Sequence, residues 1–363
     1  MFFTGRNGQV RILKEKNKLH RLLRTAAAAF LLVTLLTGCG AAQEEQPEKK
    51  ADPAEDQISI GMCFDSFVIE RWIRDRDVFL SAAESLGASV NVQSANGSAE
   101  EQIEQIRYLM EKDVDVLVVI PVDCDALSEV LQEAKKQGIR VMSYDRLAAN
   151  ADVDLYISFD NEEVGRLMGG ALRDAIPDGG KLFMIGGPLT DDNVVMVERG
   201  FHEVLDRTDL EVVYLSRCEN WNAIDGYDYV KEALKENRDV AGIMCGNDDI
   251  ATQAFRALSE ERLAGKVMLT GQDGDLSACQ RVVAGTQLVT VFKSIDEEAR
   301  RAAECAVHLA KGEPLEGADQ TMNDGTYDVP YLELTPIAVT RDNIDEVIIE
   351  GGFHARDEIY QNR

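Results

Sequence analysis

The stretch DVLVVIPVDCDALSEVLQEAKKQGIRVMSYD, Asp115 to Asp145, carries the organisation of the whole chain in 31 residues. Its ends, DVLVVIP and IRVMSYD, are apolar runs of strand length, whereas ALSEVLQEAKKQG between them spaces its apolar residues at the 3.6-residue period of an amphipathic helix. A strand, a helix and a second strand in tight succession predict parallel pairing, because the helix returns the chain to the edge where the first strand began.

The same alternation runs outward from this unit. Upstream lie the strand ISIGMCF and the helix AEEQIEQIRYLMEKD. Downstream the pattern restarts near Asn161 with the helix EEVGRLMGGALRDA, the strand KLFMIGG, the helix VVMVERGFHEVLDR, and the strands LEVVYLS, VAGIMCG, KVMLTG and LVTVF. The series predict two α/β lobes in tandem, each a doubly wound parallel sheet of about four or five strands. A chain of 363 residues with 45% hydrophobic content is long enough for both.

Charge excludes some partners and points to a location. The formal net charge is -27, which argues against nucleic acid, since phosphate binding needs clustered Lys and Arg. Residues 1–38 oppose the trend: seven Lys or Arg against Glu15 give a local +6, so the remainder carries -33. The basic stretch leads into the uncharged TAAAAFLLVTLLTGCG, too short to span a bilayer and predicted to be a signal peptide over residues 1–38. Its end, LLTGC, resembles the lipobox of bacterial lipoproteins, which implies lipidation of Cys39 and a membrane attachment through that anchor. The following GAAQEEQPEKKADPAEDQ has no apolar period, and residues 39–56 read as a flexible acidic tether.

Six cysteines follow Cys39. Cys63, Cys245 and Cys305 fall inside strand- or helix-like segments rather than on loops, so reduced thiols are expected. His20, His202, His308 and His354 are scattered and show no i, i+4 pair, so no metal site is expected. No dinucleotide or phosphate-binding glycine motif occurs, nor a nucleophile elbow, so no cofactor and no catalytic set can be nominated.

In open parallel sheets, ligands bind beyond the carboxyl ends of the strands. The polar residues there are Asp145 and Arg146, Asp191 and Asn193, Asn247, Asp273 and Lys293, of which the Asp and Asn residues could also cap the following helix. This mixture of donors and acceptors suits an uncharged polyol, and two indoles, Trp72 in ERWIRDRD and Trp221 in RCENWNAIDG, could pack on the C–H faces of a sugar ring. Within ERWIRDRD, Arg71 and Arg74 share a helical face beside Trp72 and are expected to line the ligand, leaving Asp75, Arg76 and Asp77 to solvent.

Residues 57–356 resemble the sugar-binding proteins of bacterial ABC importers, the type I periplasmic binding family, and most closely its xylose-binding branch. The likeness rests on ERWIRDRD, ESLGASVNVQSANG, DVDVLVVIP, YDR, DLYISFDNE, GKVMLTGQDGDL, AGTQLVTVFKSI, DVPYLELTPIAV and GGFH. It implies a fold whose chain crosses a hinge more than once, with an N-terminal lobe of residues 57–160 plus about 294–325 and a C-terminal lobe of 161–293 plus about 326–356. It implies a sugar site of Arg71, Trp72, Arg74, Asp145, Arg146, Asp191, Asn193, Trp221, Asn247, Asp273 and Lys293. Arg74 departs from the branch, which has Lys there, and the stretch around Trp221 aligns only with a gap. The implied role is a non-enzymatic, extracytoplasmic binding protein that captures a monosaccharide, D-xylose first, for the permease subunits of an ABC importer. Presentation of the liganded form to a membrane sensor kinase is the alternative. A sugar-sensing repressor core shares the fold, but a signal and lipobox stand where its DNA-binding helices would be.

Overall fold

The computed structural model describes residues 57–361. The expected signal peptide, the lipidated Cys39 and the tether lie outside the described residues.

Two sheets organise the described chain. The first is seven-stranded in the order β11-β12-β5-β4-β3-β1-β2, built from β1 (Ser59–Phe64), β2 (Ser89–Ser94), β3 (Val116–Val119), β4 (Arg140–Tyr144), β5 (Leu155–Phe159), β11 (Gln320–Asn323) and β12 (Asp328–Leu334). The second is six-stranded, β13-β10-β9-β8-β6-β7, from β6 (Gly180–Gly186), β7 (Leu210–Arg217), β8 (Gly242–Cys245), β9 (Met268–Gln272), β10 (Val289–Phe292) and β13 (Ile337–Val339). β1 to β5 pair in parallel, as do β6 to β10, and both sets share the 2-1-3-4-5 order of doubly wound sheets. The strand–helix–strand unit of residues 115–145 forms β3, a helix over Ser128–Lys136 and β4, with Val116 opposite Arg140.

Local chemistry sets several helix starts. Ser98 accepts from the Glu101 amide at the head of α2 (Ala99–Met110), and Asp160 accepts from the Glu163 amide at the head of α4 (Asn161–Ala175). α1 (Arg71–Ser85) and α3 (Ser128–Lys136) complete the helices between the first strands.

The chain passes between the sheets three times: after β5, after β10 and after β12. The second passage leads into α9 (Ile295–Lys311), which packs against α1 beside the first sheet. The third lies later than the boundary near residue 325 expected from the sequence. β12 belongs to the first sheet, pairing in parallel with β5 so that Tyr331 lies opposite Tyr156, with the two rings stacked 4.9 Å apart. Val329, Tyr331, Leu332 and Leu334 are buried there, and this burial holds residues 328–334 in the first lobe. Pro336 then interrupts the pairing before β13 joins the second sheet antiparallel to β10.

The six cysteines of the described residues are all buried and unpaired.

Candidate functional site

Strand ends and helix starts from both sheets converge on one cleft. Ten of the eleven expected residues line it: Arg71, Trp72, Asp145, Arg146, Asp191, Asn193, Trp221, Asn247, Asp273 and Lys293. All ten are buried.

Asp191 and Asn247 serve both readings open to them. Asp191 accepts from the Asn193 amide at the head of α5 (Asp192–Leu205), and Asn247 from the Ile250 amide at the head of α7 (Asp248–Glu260), while both line the cleft. Three cleft residues hold left-handed backbone angles that side chains other than glycine seldom adopt: Asp145 at φ 60°, Trp221 at φ 56° and Asp273 at φ 100°. Backbone of this kind persists only where the surroundings fix it, and it concentrates at ligand sites.

The two sheets touch through the cleft's own polar groups. Asn193 donates from Nδ2 to the Asp145 carbonyl at 2.9 Å and to its carboxylate at 3.0 Å. Arg146 Nη1 donates to Asp65 at 2.8 Å, its Nε lies 2.7 Å from Asp191, and the Trp221 indole N–H donates to Asp191 at 3.1 Å. The Arg146 Nε contact is an ion pair without hydrogen-bond alignment, so that N–H remains unmatched. Lys293 Nζ stands 3.7 Å from Asp145 and 3.6 Å from Asp273, bridging the two sheets.

These charges set the protonation pattern. Burial pushes the Asp145 carboxyl up, but Lys293, Arg71 and Arg146 outweigh it and leave it at about 2, ionised at any physiological pH. Burial pushes Asp191 and Asp65 above the usual carboxylate range against the opposing pull of Arg146. Arg71, Arg146 and Lys293 all lie beside carboxylates, so no cleft cation is left over to neutralise an anionic ligand.

Arg74 is the expected site residue that the fold takes elsewhere. Its guanidinium pairs with Asp296 at 2.6 and 3.1 Å, donates to the Phe353 carbonyl at 3.0 Å and lies over the Phe353 ring. Asp296 and Phe353 come from α9 and the C-terminal tail, more than 200 residues along the chain, and their position fixes Arg74 away from the cleft. Asp75 reverses the other expectation for the octet: it is wholly buried and holds Arg71 through two hydrogen bonds of 3.1 Å. Arg76 and Asp77 do pair with each other on the surface.

Several cleft residues escaped the sequence reading. Gln272 ends β9 and lines the cleft, and Asp65, which follows β1 directly, salt-bridges Arg146. The strand-end rule, applied to every strand, would have found both. Gly187 also lines the cleft, against the Trp221 indole.

Comparison with known proteins shows the family. The chain belongs to the periplasmic binding protein family, whose domain description, "Periplasmic binding protein domain", matches residues 60–314. Within curated sequences it is 43% identical over 308 residues to the D-xylose-binding periplasmic protein of Haemophilus influenzae, covering 84% of this chain and 92% of that one. It is also 43% identical over 308 residues to the protein of the same name in Escherichia coli K12, covering 84% and 93%. Among solved structures it is similar to a carbohydrate transporter solute-binding protein from Chloroflexus aurantiacus in complex with D-glucose. That match has a TM-score of 0.75 and 25% identity, and covers 83% of this chain and 98% of that one.

Proposed function

We propose that the protein binds a neutral monosaccharide, D-xylose first, between its two sheets and delivers it to an ABC importer, acting by binding alone and without catalysis. The observation that carries this reading is a set of buried polar atoms in the cleft with no hydrogen-bond partner in the protein: Trp72 Nε1, Arg146 Nε, Gln272 Oε1 and Asp273 Oδ1. A buried polar group without a partner costs about 1–3 kcal/mol, so donors and acceptors left open together mark the place of a ligand that supplies both. Sugar hydroxyls do so, and the carboxylates already beside Arg71, Arg146 and Lys293 balance their charge and so disfavour anionic ligands.

Supporting the choice of sugar, two relatives at 43% identity are D-xylose-binding periplasmic proteins. The family places the protein outside the cytoplasm. The basic, then apolar N-terminus ending in LLTGC supports attachment through lipidated Cys39. Sugar favours the closed arrangement to the extent that both sheets contact it at once, and the three passages between them form the hinge about which they part.

The test is a calorimetric panel of D-xylose, D-ribose, L-arabinose and D-glucose on the protein. Tightest binding to D-xylose is expected, and no heat with any of the four refutes the reading. Cys39→Ser should release the protein from the membrane fraction, and retention there would refute the anchor.

A further inference from the structure

Behind the cleft, and outside its lining, lies a buried group of charges that the sugar site does not itself require. The Arg71 guanidinium has five N–H donors, and four are committed. Nε and one Nη2 proton go to Asp75 at 3.1 Å each, the other Nη2 proton to Glu298 at 2.7 Å, and one Nη1 proton to Asp145 at 2.9 Å. Tyr144 donates its hydroxyl to Asp75. Asp75, Glu298 and Tyr144 are wholly excluded from solvent, and neither acid touches the cleft. Glu298 stands on the first turn of α9, five residues beyond the hinge-side Lys293, and its second oxygen, Oε1, has no partner.

Two carboxylates buried for stability alone would be a poor solution. Removing charges from water costs several kcal/mol per ion, and apolar side chains of the same volume would serve the core at least as well. What the arrangement does achieve is to fix a long, flexible side chain in one orientation with a single Nη1 proton uncommitted. Resting on the sugar-binding reading above, we propose that Glu298 and Asp75, the latter oriented by Tyr144, are positioning residues that hold Arg71 so that this remaining N–H meets one hydroxyl of the sugar.

The test is a binding cycle on the intact protein, read by calorimetry with D-xylose and its monodeoxy analogues. Glu298→Gln should weaken D-xylose about tenfold, the loss of one well-placed charged hydrogen bond. Tyr144→Phe, which keeps the ring packing, should weaken it in the same direction. The discriminating result lies in the analogues: for one of them, lacking the hydroxyl that Arg71 meets, wild type and Glu298→Gln should bind equally. In an Arg71→Met background, Glu298→Gln should likewise change affinity by less than about twofold. A loss of the same size for every analogue would mean a structural role only and overturn the proposal. So would wild-type affinity in both Glu298→Gln and Tyr144→Phe. Wild-type protein that takes up no sugar overturns the binding reading itself, and this inference with it.

Discussion

Substituting Gly187 by alanine probes the sugar slot without touching any of its charges. Gly187 follows β6 and lies in ordinary backbone space, so alanine meets no conformational penalty there. Its Cβ, however, would sit 2.4, 2.5 and 2.7 Å from Cζ2, Cη2 and Cε2 of the Trp221 indole. Ordinary contact starts near 3.4 Å, so the ring would have to retreat by about 1 Å. It has little freedom to do so, being tied by its N–H to Asp191 at 3.1 Å and set on a left-handed backbone at φ 56°. Overpacking of this kind costs about 1–3 kcal/mol. A displaced ring also loses its face on the sugar, about 0.5–1.5 kcal/mol, which corresponds to about two- to tenfold in Kd. Calorimetry with D-xylose should therefore show weaker binding and thermal melting a lower Tm. Trp221→Ala should weaken binding at least as much, and adding Gly187→Ala to it should cost almost nothing more, since the two residues act through one contact. Wild-type affinity in Gly187→Ala alongside a weakened Trp221→Ala would refute the confinement of the ring. Wild-type affinity in both would remove Trp221 from the site.

Three further outcomes follow from the same geometry. Arg74→Ala should leave D-xylose affinity within about twofold and lower stability by about 1 kcal/mol or less, because its ion pair with Asp296 is about one-third exposed; a tenfold loss of affinity would place Arg74 back in the site. Burial, then the charges of Asp273 and Glu70, push the Asp249 carboxyl up to about 6, so the folded protein takes up a proton there as pH falls through 6 while the unfolded chain does so only near the ordinary carboxylate value. Asp249→Asn should accordingly raise Tm at pH 7.5, with the advantage shrinking as pH falls below about 6 and vanishing only below the ordinary carboxylate value of about 4; an equal Tm difference at pH 7.5 and at that low pH would contradict this. The thiols of Cys63, Cys124, Cys218, Cys245, Cys279 and Cys305 are buried, and burial raises Cys63 and Cys218 to about 12 and Cys305 to about 11. They should resist a maleimide in the native protein and react once it is unfolded, and rapid native labelling would show that the packing is looser than described.

Most of the residues that both the sequence pattern and the structure put in the cleft share one property: they lie close after a strand end. A βα turn fixes where Asp145, Asp191, Asn247 and Asp273 must lie once the strand is recognised, because doubly wound sheets present all those turns on one edge. The misplacements arise where a partner comes from far along the chain. Arg71 and Arg74 are equivalent by helical spacing, yet α9 brings Glu298 to one and Asp296 to the other, while the tail adds Phe353 only to the second. Asp75 was within reach of the sequence, since an Asp four residues after an Arg is the standard helical pair. A run of six charges in ERWIRDRD hid it, because nothing local tells a buried pair from a solvated one.

The same distinction applies to the stretch that returns to the first lobe between the second and third passages. α9 brings Glu298 against Arg71, and β12 covers β5 with the Tyr331 and Tyr156 stack. The first lobe's share of the cleft is therefore held in part by a stretch that comes back to it after the chain has built the second sheet. A perturbation of residues 293–298 should reach Arg71 and Lys293 together, because that short segment supplies the anion that grips one and the cation that is the other. If the proposed closure takes place, this covalent connection ties it to affinity alongside the ligand.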